Sequence, residues 1–231
     1  MTRFVIREAL QTDLDDIVTF YQEFPDSHVM LRTEAAVRTA IRNGTFFLGI
    51  DTSATNAGRI FAASAVYDVE AILIGGGTMT LKEAGGSNVK EDRRGFGIHQ
   101  IMHAARAMHE FILDRGGFHE YFGAIIVPND PSVKNIMRMG FEKWQDVPPS
   151  LRAEREPYVG EGNNLEFYRL LPQSLPLHAK KLIETASRSL VENRHGELKQ
   201  VELVLDIETV RKYMPILERV ADNDISEILR P

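Results

Sequence analysis

Arg93 and Arg94 stand directly ahead of Gly95-Phe96-Gly97, and the run from Ile98 that follows has the spacing of a helix. A helix start presents unpaired N–H groups and the positive end of the helix dipole, and glycine lets a phosphate approach the backbone closely. That chemistry is a pyrophosphate cradle. A tight turn flanked by two surface arginines uses the same residues, so this stretch alone leaves both readings open. His99 and His103, with His109 farther along, raise a second chemistry, because residues four apart share a helical face and two imidazoles can chelate. No acid or third histidine completes a ligand set in the sequence, and a solvated polar face opposite the helix's apolar stripe accounts for all three, so no metal is expected. The absence of cysteine excludes disulfides, thiolate catalysis and cysteine-based zinc or iron–sulfur sites.

The elements that would position such a loop follow from periodicity. Phe4-Val5-Ile6 is a short β-type run, and Thr12-Asp13-Leu14-Asp15 offers a capping box ahead of Leu14, Ile17, Val18 and Tyr21 on one helical face. Thr33 caps a second helix with Ala36, Val37, Ala40 and Ile41 inward, stopped at Asn43-Gly44. Residues 45–50 and 59–69 alternate as a hairpin across a turn-prone linker. Between Ile72 and Val89, β-formers mix with five glycines. A strand is expected near Thr78 to Glu83, its end splayed by Gly85-Gly86. Ile98, Ile101, Met102, Ala105, Met108, Phe111 and Ile112 make the apolar stripe of a long helix ending at Gly116-Gly117.

Tyr121 to Val127 is apolar throughout and therefore central in its sheet. Pro131 to Met139 is a short helix closed by Gly140. Phe141 to Trp144 and Leu165 to Leu171 are strands joined by a polar loop with Pro148, Pro149 and Pro157, which either borders a pocket or lies free on the surface. From Pro172 the texture changes to helix, strand, then a helix kinked or broken at Pro215. The chain divides at that point into residues 1–171 and an α/β C-terminal extension, 172–231, that packs on the domain or on a partner.

With 231 residues and 43% hydrophobic content the chain suits one substantial domain with an appendage. A formal charge of −6 and no dense Lys/Arg block argue against nucleic-acid binding. No stretch approaches the ~20 apolar residues of a membrane span, and residues 1–13 lack the apolar core of a signal peptide, so a cytoplasmic protein without membrane contact is expected.

The opening stretch resembles the acetyl-CoA-binding motif of the GNAT N-acetyltransferase superfamily: an apolar strand end, a short loop, Arg-Gly-x-Gly-(Ile/Val)-Gly/Ala, then a long helix. Val89 is the strand end, Arg94-Gly95-Phe96-Gly97-Ile98 fills the core of the pattern, and His99 stands where the family usually has Gly or Ala. A second motif supports the first: Asn129, Ser132, Ile136, Arg138, Gly140 and Phe141 match a downstream pattern at five of its six positions. The resemblance covers residues 3 to 171. It implies a mixed α/β fold with a mostly antiparallel central sheet flanked by helices.

It further implies acetyl-CoA (or another acyl-CoA) as co-substrate and direct attack by an amine, small-molecule or protein-borne, on the thioester. Asn88, Val89, Arg94, Gly95, Phe96, Gly97, Ile98, His99 and Asn129 become the cofactor-binding set, with a backbone N–H near Asn88 or Val89 polarising the carbonyl. Glu83, on the strand before the loop, is the expected base, with Glu70 on the preceding strand as another carboxylate. Ile136 departs where many members carry a tyrosine that protonates the leaving thiolate. Ser132, Tyr121, Tyr158 and Tyr168 are the hydroxyls near the right segments. The alternative is a catalytically silent module whose extension serves a partner or a homodimer.

Overall fold

The structure is a computed structural model that describes residues 2–24, 32–53, 56, 58–73, 75–113, 120–187, 191–192, 198–199, 201–205 and 214–224. Among these residues the chain forms β1 (Thr2–Glu8), α1 (Leu14–Gln22), α2 (Glu34–Arg42), β2 (Phe46–Asp51), β3 (Arg59–Ile72), β4 (Thr78–Val89), α3 (Ile98–Leu113), β5 (Tyr121–Val127) and α4 (Asp130–Arg138). There follow β6 (Phe141–Lys143), α5 (Pro149–Arg155), β7 (Asn164–Leu170), α6 (Leu175–Ser187), β8 (Val191–Glu192), β9 (Leu198–Lys199), β10 (Val201–Leu205) and α7 (Met214–Ala221). Eight strands make one sheet in the order β10-β1-β2-β3-β4-β5-β7-β6, while β8 and β9 pair separately. Only β1/β10 and β4/β5 run parallel in the large sheet.

Both faces of this sheet are covered, which is why its strands read as continuous apolar runs rather than alternating ones. Successive side chains of a strand point to opposite faces. Phe46, Leu48 and Ile50 of β2 accordingly pack with Leu14, Ile17, Val37 and Ile41 of α1 and α2, whereas Phe47 joins the core built around α3. The residues of the predicted α3 stripe from Ile98 to Phe111 are buried there, and the predicted stop at Gly116-Gly117 lies outside the described residues. Thr33 Oγ1 accepts the Ala36 N–H at 3.3 Å, and Gly44 has φ +70°, both as the spacing predicts for α2.

The β4/β5 junction shapes everything that follows. These two strands share only the pairs Lys82↔Tyr121 and Glu83↔Phe122. Beyond them β4 stays with β3, β5 stays with β7, and a wedge opens between. At the same level the β3/β4 register slips by one residue between Ala63 and Ala65. Gly86, at φ +60°, is the turning point of this bulge, a conformation that other residues adopt with strain. The strand predicted to end near Glu83 thus continues through the bulge to Val89.

Two expectations need correcting. Thr12 does not cap α1: a 3-10 turn over Gln11–Asp13 precedes it, and the Asp13 carboxylate instead receives the Leu10 N–H at 2.6 Å and the Arg7 guanidinium at 2.7 Å. The polar segment before β7 is not an open loop, because α5 forms in it with Pro149 in the first turn and buries Leu151 and Arg155. Of the helix expected to be kinked or broken at Pro215, residues 206–213 lie outside the described residues; α7 starts at Met214 with Pro215 in its first turn, where its missing N–H has no helical partner to lose. Of the two placements expected for the C-terminal extension, its described residues take the first, supplying a strand to the main sheet and side chains to its core: Leu175, Ala179, Leu182, Leu205, Leu217 and Val220 are buried with α3.

Gly140 joins α4 to β6 under the start of this C-terminal segment. Its φ is +78°, and a Cβ there would lie 2.6 Å from both Cβ and Oγ of Ser174, whose hydroxyl donates to the Gly140 carbonyl at 2.8 Å. Gly140→Ala is therefore expected to cost about 2–4 kcal/mol, strain and overlap combined. Gly44→Ala, with the same backbone sign but 3.6 Å to its nearest neighbour, should cost only the strain, about 1–2 kcal/mol. Urea denaturation of the two variants reads the difference.

Candidate functional site

A cavity of about 730 Å³ fills the wedge between β4 and β5 and runs to the amino end of α3. One wall is β4 from Ala84 to Val89, the facing wall is Gly123, Ala124 and Ile125 of β5 with Asn129, Ser132, Asn135 and Ile136 from α4, and the end is Arg93, Arg94, Gly95, Gly97 and His99. Gly95 and Gly97 have φ +90° and +74°. Nothing lies within 4 Å of a Cβ built on Gly97, so glycine is needed there for its left-handed backbone and not for want of room.

At the strand end, Val89 accepts from Arg94 Nε at 3.0 Å, while its own N–H donates to the Asn88 side-chain oxygen at 2.9 Å. Of the two amides expected to polarise a carbonyl, that of Val89 is thus already taken. Gly86 and Ser87, the bulged residues, are the ones absent from the β3 register. Arg93 is tied to Asp51 at 2.9 Å and to Asp92 at 2.7 Å, but no carboxylate pairs with Arg94 among the described residues. Asn129 caps α4, its oxygen accepting the Ser132 N–H at 3.4 Å.

The structure brings Asn88, Val89, Arg94, Gly95, Gly97, Ile98, His99, Asn129 and Ser132 together on the cavity and leaves two predicted residues off it. Phe96 is buried against Phe4, ring centroids 6.2 Å apart, so it anchors the loop from beneath. Glu83 is fully buried outside the lining, and its oxygens accept from Arg32 and from Arg155, the latter at 2.7 and 3.2 Å. Taking a proton there means giving up an ion pair. The candidate hydroxyls disperse as well: Tyr121 is in the core, Tyr158 is exposed, and Tyr168 donates to Glu166. Ile136 packs on β5, where a Cβ added to Gly123 would fall 2.8 Å from its Cδ1.

The histidines of α3 overturn the expected solvated face. His99, His103, Arg106 and Glu110 repeat at intervals of four, three and four residues, so they form a second stripe, which faces the cavity and the β3 and β4 strands. Arg106 is fully buried and donates to the carbonyls of Ala65 at 3.0 Å and Gly85 at 3.3 Å and to His103 Nδ1 at 2.8 Å. It therefore pins both strands at the bulge. Glu110 pairs with Lys82 at 3.3 Å, and His109 turns away toward Phe47 and Glu8, so the three histidines do not converge. A polar stripe at helical spacing was the available signal for Arg106; nothing in the sequence singled out Arg32.

Asn135 Nδ2 lies 3.3 Å from His99 Nδ1, and an amide nitrogen can only donate, so the His99 proton sits on Nε2, which is buried without a partner. Burial first, then Arg106 and Arg94, push His99 down to about 4. It is a neutral N–H donor at physiological pH. His178 of α6, whose Nε2 donates to the Met139 carbonyl at 2.7 Å, is likewise held at about 4, chiefly by burial.

These two groups give stability a pH dependence. In the unfolded chain an imidazole takes up a proton near pH 6.5, while the folded form stays neutral to about pH 4. Between those values the unfolded state binds more protons, so stability falls as pH drops, by at most about 1.4 kcal/mol per pH unit for each such group. Urea denaturation at pH 7 and pH 5 should show this loss, and His178→Leu should reduce it.

No protein-family model matches the sequence, and no curated protein matches it. Solved structures do match the fold. A chain of the NatC complex bound to Gag peptide and CoA superposes with a TM-score of 0.56 at 11% identity, covering 73% of this chain and 98% of that one. Arabidopsis thaliana NAA60 in complex with acetyl-CoA gives 0.51 at 13%, covering 73% and 99%. A Bordetella pertussis protein described as a GnaT-family acetyltransferase gives 0.50 at 17%, covering 72% and 94%. The chain has the fold of the GNAT N-acetyltransferases.

Proposed function

We propose that the chain is an acyl-CoA-dependent N-acyltransferase that moves an acetyl group to a primary amine by direct attack. The observation that carries this reading is the continuous cavity leading from a glycine loop at a helix start to a bulged strand edge. Acetyl-CoA would place its pyrophosphate on the α3 amino end with Arg94, where backbone donors, dipole and an unpaired cation coincide. Its pantetheine arm would follow β4 past Asn88 toward Asn129. The thioester would then lie beside Gly86 and Ser87, whose amides replace those of Asn88 and Val89 as carbonyl-polarising donors.

In the reaction a neutral amine attacks the carbonyl carbon, the C–S bond breaks, CoA departs as a thiolate, and the nitrogen sheds one proton to solvent as the amide forms. Ile136 cannot give that thiolate a proton. The positive charge of Arg106 behind Gly85 and the α3 dipole stabilise the leaving anion instead, with Ser132 as the hydroxyl on the facing wall. His99 Nε2–H supplies a neutral donor where small residues are usual. Glu83 acts by holding Arg32 and Arg155 in place, so the ammonium loses its proton to solvent before attack.

Calorimetry with acetyl-CoA, followed by CoA release with an amine panel, tests the assignment. Binding with turnover is expected, and Arg94→Ala should raise the acetyl-CoA Kd about tenfold, the worth of one charge-assisted contact. No binding would sink the enzymatic reading. Binding without CoA release from any amine would instead favour the silent module that Ile136 suggests, with the cytoplasmic setting and any homodimer left to fractionation and sizing.

A further inference from the structure

Four arginines line the cavity, and no Asp or Glu does so among the described residues. Three of them, Arg93, Arg94 and Arg138, stand at the loop and on α4. Arg32 stands alone at the other end, its Nη2 3.4 Å from a Cβ position on Gly85 and its guanidinium 5.0 Å above the Tyr67 ring. Through the bulge, Gly85 to Val89 advances only from Ala65 to Ala62 along β3, three residues or about 10 Å, which still sets Arg32 apart along β4 from the phosphates that Arg94 would serve.

The charge around Arg32 is in excess. Among the described residues its carboxylate partner, Glu83, is shared with Arg155, and the Glu154 that also pairs with Arg155 is half exposed, where water screens it. Arg106 adds a buried cation on the other side of Gly85, bonded only to carbonyls and an imidazole. Arg32 Nε is itself buried without a partner, a spare donor in a side chain that lines the cavity. A second cation arriving here meets repulsion in a region of low dielectric, and an anion meets an unused donor.

We propose that the acceptor amine carries a carboxylate within a few bonds of its nitrogen and that Arg32 binds it. Resting on the acyltransferase reading, this narrows the acceptor to an amino acid or to a peptide beginning with an acidic residue. It sets aside polyamines and aminoglycosides. Attack beside Gly86 and Ser87 with Arg32 at Gly85 leaves about one to two residues of strand, roughly 3–7 Å, between the reacting nitrogen and the anion.

The test uses matched pairs on the wild-type protein with saturating acetyl-CoA: an amino acid against its carboxamide, and an Asp-initiated peptide against its Asn-initiated twin, both amidated at the C-terminus. One carboxylate-bearing member should exceed its neutral twin about tenfold or more in kcat/KM, and which pair does so identifies the source. Arg32→Gln should erase that preference while the acetyl-CoA Kd stays within twofold, and Arg32→Lys should restore part of it. If the carboxylate members are acetylated no faster than their twins, or Arg32→Gln keeps the preference while still binding acetyl-CoA, the anion subsite is overturned and the acyltransferase reading stands. Absence of acetyl-CoA binding to the wild type overturns that reading and this one together.

Discussion

Glu83→Ala is expected to destabilise the protein by about 3–5 kcal/mol, the usual consequence of removing one partner from a buried ion pair. The carboxylate is fully buried between two guanidiniums, with the Arg155 side chain only 2% exposed and that of Arg32 13% exposed. Deleting it leaves two cations facing each other without an anion in the wall behind β4 and β5. For a domain whose whole stability is on the order of 5–15 kcal/mol, the variant should be largely destabilised at physiological temperature. The measurement that decides is urea denaturation alongside acetyl-CoA binding. A catalytic base behaves differently: Glu83→Gln would then fold as the wild type does, bind acetyl-CoA normally and lose only kcat. A stable Glu83→Gln protein with normal binding and low turnover would overturn the anchoring role.

Ending the chain after Leu171 is expected to abolish folding. The segment removed carries Leu175, Leu182, Leu205, Leu217 and Val220, all buried against α3 and its neighbours. Each such side chain contributes about 1.5–3 kcal/mol by leaving water, and their sum is comparable with the whole stability of a domain. The cut would also strip β1 of its parallel partner β10. Expression as insoluble protein, or a soluble chain without a cooperative unfolding transition, is the predicted outcome. A truncated chain that unfolds cooperatively and binds acetyl-CoA would show that residues 1–171 are a self-sufficient domain.

Legibility in the sequence tracked how local the cause was. The α3 stripe, the Thr33 cap and the helix-stopping glycines at 44 and 140 rest on neighbours in sequence, and the structure has them as the spacing predicts. The glycine loop and Asn129 were readable for the same reason. Arg32, Arg106 and Arg155 were not, because what makes each matter is a contact with a distant strand or carboxylate. Glu83 was read as free for chemistry since nothing nearby in sequence discloses the two arginines that occupy it. The C-terminal segment looked separate because its composition changes at Pro172, although its side chains complete the face that α3 begins.

The pairing of Thr2 with Val201 and of Ile6 with Leu205 also sets an order of events during synthesis. β1 is made about 200 residues before its partner strand, so an open strand edge persists while that length of chain emerges. The β2-β3-β4 meander, whose strands are sequence neighbours, can assemble early, whereas closing β10 onto β1 spans about 200 residues and comes late. Nascent chains interrupted before residue 205 should therefore be the species that engage chaperones or aggregate.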